Sequence, residues 1–159
     1  MPKHFEKRNL AYPSNLLYGI VEDVKSYPKF LPWIKQALIS NRQAQHFDAK
    51  LIVGYNAFVQ TSYTSRVHLT PLTKIEIEYL SGPFRHLENS WTFTSLSEME
   101  TEVEFLIDFS FKSQLLQKLM EGLFNEALKS TLQAFEKRAM ELHSGLLKKL
   151  INANSGLEK

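Results

Sequence analysis

Histidine and acidic side chains are the groups in this sequence that could perform acid–base or metal chemistry. The histidines are His4, His46, His68, His86 and His143. No two of them have the H-x-x-x-H spacing that would place two metal ligands on one face of a helix. His86 follows Arg85 and stands two residues before Glu88, a grouping that a general acid could use but that is more typical of a polar strand end. We therefore predict no metal site and no catalytic residue.

Other reaction classes lack the residues that they need. The chain has no cysteine, which excludes disulfides, thiolate metal sites, iron–sulfur clusters and a cysteine nucleophile. The G-x-S-x-G pattern around a reactive serine is absent, and the 6 glycines form no phosphate-binding loop. A net charge of +2 is too small to indicate a nucleic-acid-binding surface, so no DNA partner is expected. Arg66 and Asp108 are charged residues within predicted strands, and each could bind the polar headgroup of a ligand.

Apolar and polar residues alternate along much of the chain between residues 34 and 111. The stretches with this period of two, which is typical of strands with one buried face, are 47–55, 59–69, 75–79, 87–93 and 103–111. Residues 34–43 and, more weakly, residues 3–10 predict further strands, and Pro71 and Gly82 mark turns. Strands that follow one another through short connections form an antiparallel meander. The sequence therefore predicts an antiparallel sheet of six to seven strands.

Two segments have the apolar spacing of helices. Ser14 is the predicted N-cap of a helix that extends to about Val24. Ser113 is the predicted N-cap of a long amphipathic helix that ends near Leu142. Between the first helix and the sheet stands Tyr27-Pro-Lys-Phe-Leu-Pro-Trp33, here called the proline segment. Its two prolines exclude a long helix, so we expect a turn that carries large apolar side chains.

The long C-terminal helix is the element large enough to cover the apolar face of the sheet. We therefore predict an α+β fold in which residues 1–145 form one domain and residues 146–159 form a partly frayed tail. A strongly curved sheet on one long helix leaves room between them for an apolar tunnel. The proline segment would lie at the open end of this sheet, either as the rim of the tunnel or as its plug.

Four segments in the same order resemble one known family. They are Gly82-Pro-Phe-Arg-His-Leu-Glu-Asn-Ser-Trp-Thr-Phe93, the proline segment, Phe105-Leu-Ile-Asp-Phe-Ser-Phe-Lys112 and Ala134-Phe-Glu-Lys-Arg138. Together they resemble the coenzyme Q-binding, START-like family within the polyketide cyclase/dehydrase superfamily. The resemblance implies a helix-grip fold, similar to Bet v 1, with a curved sheet wrapped on the C-terminal helix. It also implies a protein that is not an enzyme and that binds ubiquinone or a related isoprenoid lipid in its tunnel, as a carrier that supports respiratory electron transport.

The predicted binding site combines this resemblance with the apolar rows of the sheet and helix. Phe30, Leu31 and Trp33 of the proline segment would form the mouth. The strand residues that would line the tunnel are Val67, Ile77, Tyr79, Trp91, Phe93, Phe105 and Phe109. From the helix, the lining residues would be Leu116, Met120, Leu123 and Ala127. Burial of an isoprenoid tail would stabilise the complex by about 25 cal/mol per Å² of apolar surface, and aromatic faces suit a flat quinone ring.

Two other functions stay open at this point. The same family includes bacterial ribosome-association toxins, which bind the large ribosomal subunit and block the joining of subunits. A basic patch for that role would come from Lys3, Lys7, Arg8, Lys35, Arg42, Lys50 and Lys74. A small-molecule cyclase is a third option, with little support because the sequence shows no acid–base pair. The N-terminus resembles neither a secretory signal nor a transit peptide, so we expect a bacterial, cytoplasmic protein with peripheral contact to the inner membrane as an option.

Overall fold

The computed structural model describes residues 3–55 and 58–157, and these residues form seven strands, two α-helices and one short 3-10 helix. In chain order the elements are β1 (Lys3–Leu10), α1 (Ser14–Glu22), the 3-10 helix (Val24–Lys29), β2 (Ile34–Ser40), β3 (His46–Gly54), β4 (Gln60–Thr70), β5 (Lys74–Ser81), β6 (Phe84–Ser97), β7 (Glu100–Phe111) and α2 (Gln114–Leu157). The prediction of an α+β fold with six to seven strands and a long C-terminal helix is confirmed.

The seven strands form one antiparallel sheet in the order β1-β7-β6-β5-β4-β3-β2. Strands β2 to β7 follow one another as a meander, and β1 joins the sheet beside β7. Consequently β1 and β2, the first two strands in the sequence, lie at opposite ends of the strand order. The register pairs Trp91 with Phe105 and Val67 with Ile77, so the apolar rows of neighbouring strands share the inner face.

Helix α2 packs along the inner face of the sheet. Met120 and Ala139 are completely buried in this interface, and Leu132 is almost so. At its start, the backbone N–H of Leu116 donates to Ser113 Oγ at 3.2 Å, which confirms Ser113 as the N-cap. Helix α1 packs against α2 and β6, so the interior is enclosed on that side as well.

The predicted end of the long helix near Leu142 is wrong, because α2 continues to Leu157. Gly145 causes no break, since it does not have the positive φ of a helix-terminating glycine. The leucines and lysines that follow it have high helix propensity and extend the helix through most of the predicted frayed tail. Whether the domain ends at residue 145 stays a prediction.

The predicted cap of the first helix is also wrong. Ser14 is the first residue of α1, and Pro13 occupies the cap position without a side-chain hydrogen bond. Its backbone (φ −64°, ψ 147°) is already extended, so proline itself sets the direction in which the chain enters the helix. The first part of the proline segment lies in the 3-10 helix, in agreement with the expected turn.

A close approach between strands depends on Gly82, at the turn between β5 and β6. Its φ of +142° is a conformation that residues with side chains rarely adopt. A Cβ atom there would lie 2.6 Å from the Cβ of Tyr63, so a larger residue would push β4 away. This turn therefore lets Phe84, two residues later, pack edge-to-face on the Tyr63 ring at 5.1 Å.

Candidate functional site

An internal cavity of about 110 Å³ lies between the sheet and α2. Most of its wall comes from the inner face of β3 to β7, and Thr131 and Phe135 close it from the helix. Tyr27, Leu31 and Trp33 of the proline segment form the third wall. The proline segment therefore contributes to the same site as the sheet, as the sequence predicts.

Small side chains at neighbouring positions create the cavity. Ala49 of β3 lies directly opposite Ser65 of β4, and both line it. The residues around this pair on the inner face are larger, for example Leu51, Tyr63 and Val67. A pair of short side chains among long ones leaves unfilled space, because the strands themselves cannot move closer together.

Five of the lining residues carry hydroxyl or amide side chains, and three of these donate a hydrogen bond to a backbone carbonyl of the protein. Tyr27 Oη donates to the carbonyl of Val21, Asn89 Nδ2 to that of Leu106 at 2.8 Å, and Thr131 Oγ1 to that of Ala127. Among the residues that the structure describes, the hydroxyls of Tyr63 and Ser65 make no hydrogen bond. These two hydroxyls are therefore available to a ligand.

Burial controls the protonation of the two tyrosines in this site. It raises the pKa of Tyr63 to about 12, since the phenolate would lose its hydration. The pKa of Tyr27 is raised even further, mainly by burial and secondarily by the nearby Tyr63. Both hydroxyls thus remain neutral hydrogen-bond donors at physiological pH, and neither can act as a base.

Trp33 lies between the cavity and the surface. The same ring also lines an external depression of about 440 Å³, here called the side groove, on the outside of α2. The side groove is lined by Pro32, Trp33, Leu123, Glu126, Ser130, Gln133, Ala134 and Lys137. No other described residue lines both spaces. The cavity and the side groove therefore meet at this half-buried side chain.

The structure brings six of the fourteen predicted site residues to the cavity. They are Leu31, Trp33, Val67, Ile77, Trp91 and Phe105. Leu123 lies in the side groove instead. Phe30 packs against Phe135 at 5.1 Å between ring centroids. The guanidinium of Arg138 lies over the Phe30 ring, 5.4 Å from its centroid.

The remaining predicted residues lie in the packed interior. Phe93 stacks edge-on with Tyr18, and the Tyr79 hydroxyl accepts the backbone N–H of Phe84 at 3.0 Å. Met120 and Ala127 are buried without lining the cavity, and Leu116 is partly buried beside the core.

Phe109 belongs to a group of rings that we call the phenylalanine cluster, formed by Phe84, Phe109, Phe111 and Phe124. Their centroids lie between 4.8 and 6.1 Å apart, within the range of favourable aromatic contacts. The cluster fills the interior near the start of α2. The interior is consequently a cavity that is closed at this end, and not the continuous tunnel that the sequence predicts.

The predicted site lacks the small and polar residues that line the cavity. Ser65 and Tyr63 alternate with outward residues on β4 in the same row as Val67, and Asn89 stands in the row of Trp91. Their positions were therefore readable from the period of two, but a search for apolar lining passes over them. Thr131 and Phe135 similarly lie on the predicted inner face of α2.

The charged candidates Arg66 and Asp108 do not line the cavity. Arg66 forms two hydrogen bonds with Asp48 across the outer face, the shorter one at 2.8 Å. This pairing holds the pKa of Asp48 below its usual value, chiefly through the hydrogen bond from the guanidinium. Asp108 lies near His86 on the same outer face. Neither charged side chain is therefore placed to bind the polar headgroup of a ligand in this cavity.

Comparison with known proteins agrees with this architecture. Residues 10–136 match the family model described as polyketide cyclase / dehydrase and lipid transport. The chain belongs to this family. The Ribosome association toxin RatA of Escherichia coli is 32% identical over 144 residues, which cover 91% of this chain and 90% of the relative. The mitochondrial coenzyme Q-binding protein COQ10 homolog B of Xenopus laevis is 30% identical over 145 residues, covering 89% of this chain and 59% of the relative.

Solved structures share this fold at low sequence identity. The Zhui aromatase/cyclase from a Streptomyces species superposes with a TM-score of 0.75 at 19% identity, over 87% of this chain and 93% of that one. A START superfamily protein from Mycobacterium smegmatis has a TM-score of 0.73 at 20% identity, over 88% and 98% of the two chains. These similarities confirm the helix-grip fold but do not assign an activity. Among the described helices, none contains a stretch long and apolar enough to cross a membrane.

Proposed function

We propose that this protein binds ubiquinone or a related isoprenoid lipid and carries it without chemical conversion. The observation that supports this most is the largely apolar cavity between the sheet and α2, with its two unpaired hydroxyls. An apolar cavity of about 150 Å³ in another protein holds benzene, so a cavity of about 110 Å³ is of the right order for a single ring. Tyr63 and Ser65 would donate hydrogen bonds to the carbonyl oxygens of a quinone.

The isoprenoid tail does not fit in this cavity and must leave it. Trp33 separates the cavity from the side groove, which at about 440 Å³ is four times larger. We infer that the ring enters beside Trp33 and that the tail lies along the side groove against Leu123. The other residues that the sequence predicts for the site would pack behind those that contact the ring and the tail. They are Phe30, Tyr79, Phe93, Phe109, Leu116, Met120 and Ala127.

We propose binding without a chemical reaction because of the residues that line the cavity. Among the described residues of the cavity wall there is no aspartate, glutamate, histidine, lysine or arginine. The raised pKa values of Tyr27 and Tyr63 remove the remaining candidates for a general base at neutral pH. A cyclase needs a base that abstracts a proton, and the cavity wall offers none at neutral pH, so binding alone is the better-supported function.

Identification of the co-purifying lipid tests the proposal. The protein is purified from its own cells without detergent, extracted with organic solvent and analysed by mass spectrometry. We expect a stoichiometric isoprenoid quinone that is lost when the cavity is filled by Ala49→Ile. The Glu76→Ile variant, which adds the same side chain at an exposed position on the outer face, should retain it. A protein that carries no lipid and binds no added quinone contradicts the proposal.

Association with the large ribosomal subunit is a second candidate function. It is favoured by the relatives named ribosome association toxin, of which this chain covers about nine-tenths. The predicted basic residues do not form one obvious patch, because Lys3, Lys7 and Arg8 lie on β1 at the opposite end of the strand order from β2. Lys7 is also within 4 Å of Glu102 and Glu104.

Sedimentation through a sucrose gradient tests this second function. A ribosome-binding protein should sediment with large subunits at low salt and be released as the salt concentration rises. Lys35 and Lys50, near the β2 edge, are the first positions to change to glutamate. Failure of the lipid-loaded protein to sediment with any ribosomal particle would exclude it.

A further inference from the structure

A row of charged side chains crosses the outer face of the sheet. The register places Asp108 of β7 opposite Glu88 of β6, and Glu88 opposite Glu78 of β5. Lys3 of β1 stands at one end of these carboxylates and Arg66 of β4 at the other. Like charges directly opposite one another on neighbouring strands destabilise a sheet. The middle of the row therefore carries an electrostatic cost that a bound cation would offset.

His86 lies beside this row because it stands two residues before Glu88 on β6, and alternate residues of a strand share a face. The register pairs His86 with Ser110 of β7. His86 Nε2 is 3.5 Å from Asp108 Oδ2, and one ligand atom from each of His86, Glu88 and Asp108 lies within 4.8 Å of the other two.

Two buried oxygen atoms beside this group lack partners. Asp108 Oδ1 and Ser110 Oγ make no hydrogen bond with any residue in the described part of the chain. Ser110 is only 9% exposed, and its register partner is His86. Buried polar atoms in proteins are nearly always satisfied. An unpaired carboxylate oxygen of the group itself and an unpaired buried hydroxyl two residues farther along β7 thus point to a ligand on this part of the outer face.

We propose that His86, Glu88 and Asp108 bind a divalent transition-metal ion of the Zn²⁺ class on the outer face of the sheet. One imidazole and two carboxylates are a donor set that zinc accepts, with water as a further ligand. The imidazole favours such an ion over Mg²⁺ or Ca²⁺, which prefer oxygen ligands alone. The ion would neutralise the repulsion between Glu88 and Asp108, and Ser110 Oγ can accept a hydrogen bond from the water.

Isothermal titration calorimetry with Zn²⁺ tests this site on the full chain after treatment with EDTA at neutral pH. We expect one ion per chain, and His86→Ala should weaken the affinity by at least about 10-fold. The matched control is His68→Ala. His68 lies on the same outer face, 2.8 Å from Glu78, but no third metal-ligating group joins this pair among the described residues. This control should bind Zn²⁺ like the unchanged protein.

A stability measurement separates metal binding from a purely structural role. Glu88→Gln removes one of the adjacent like charges, so the metal-free variant should melt at the same temperature as the unchanged protein or higher. It should lose the rise in melting temperature that Zn²⁺ produces in the unchanged protein. Zinc affinity that survives His86→Ala, or Mg²⁺ affinity equal to that for Zn²⁺, would overturn the proposal, as would the absence of saturable zinc binding.

Discussion

Filling the internal cavity should stabilise the protein and abolish ligand binding together. Residual cavity volume costs about 24 cal/mol per Å³, so a cavity of about 110 Å³ corresponds to about 2.6 kcal/mol of lost stability. Ala49 is 1% exposed and lines this space from a central position of β3. In Ala49→Ile the added carbons occupy part of the cavity, and a β-branched residue suits a strand.

We expect the free energy of unfolding of Ala49→Ile to rise by about 1–2 kcal/mol, because imperfect packing offsets part of the gain. Urea unfolding followed by circular dichroism measures this change. Binding of a short-chain ubiquinone is measured by quenching of tryptophan fluorescence, which is suitable because both tryptophans of the chain, Trp33 and Trp91, line the cavity. Quenching should disappear in the variant.

The control for this experiment is Glu76→Ile, which places the same side chain on the outer face. Its stability should change by less than about 1 kcal/mol, since only an exposed ion pair with Lys74 is lost, and its quinone binding should persist. Unchanged quenching in Ala49→Ile would refute the assignment of the cavity as the ring site. A variant that loses both stability and binding would refute the volume argument, because binding would then fail through damage to the fold.

Three further changes test other parts of the site and the sheet. Tyr63→Phe removes one free hydroxyl but keeps the ring, so quinone affinity should fall roughly 5-fold, or about 1 kcal/mol, in the same fluorescence titration. Leu123→Lys places a charge in the side groove and should abolish the lipid that co-purifies with a folded protein; an unchanged lipid content by mass spectrometry contradicts the tail path. Asp48→Asn tests the ion pair with Arg66: because that pair lowers the pKa of Asp48, its stabilisation is present at neutral pH and lost as the pH falls through the lowered pKa. The stability difference between the unchanged protein and Asp48→Asn in urea unfolding should therefore shrink between pH 7 and about pH 3, and a constant difference would exclude the electrostatic explanation.

The strands of this fold are readable from the sequence because each has one buried and one exposed face. The period of two along 103–111, for example, predicts most of β7. Helix ends are less predictable, since Gly145 is compatible with both a break and a continuous helix. The leucines and lysines that follow Gly145 favour helix, and α2 continues through it.

The sequence predicts the lining of the cavity less completely, because the cavity depends on pairing between strands. Ala49 and Ser65 create the cavity only because the register places them opposite one another, and no single strand reveals this. The phenylalanine cluster illustrates the same limit. Counting alternate residues back from Trp91 would place Phe84 on the outer face, whereas the bulge after it places the ring inside, where it closes the predicted tunnel.

The two candidate functions use different parts of the molecule, so one variant can test whether they are linked. Ala49→Ile changes the interior and leaves every basic residue of the surface in place. If ribosome association depends on a bound lipid, this variant should lose both the lipid and sedimentation with large subunits. The reason is that the lipid would then favour the conformation of the protein that binds the ribosome. If the two functions are independent, the variant loses only its lipid, while Lys50→Glu loses only sedimentation. A single gradient with both variants therefore distinguishes a lipid-regulated ribosome-binding protein from a fold that serves two separate roles.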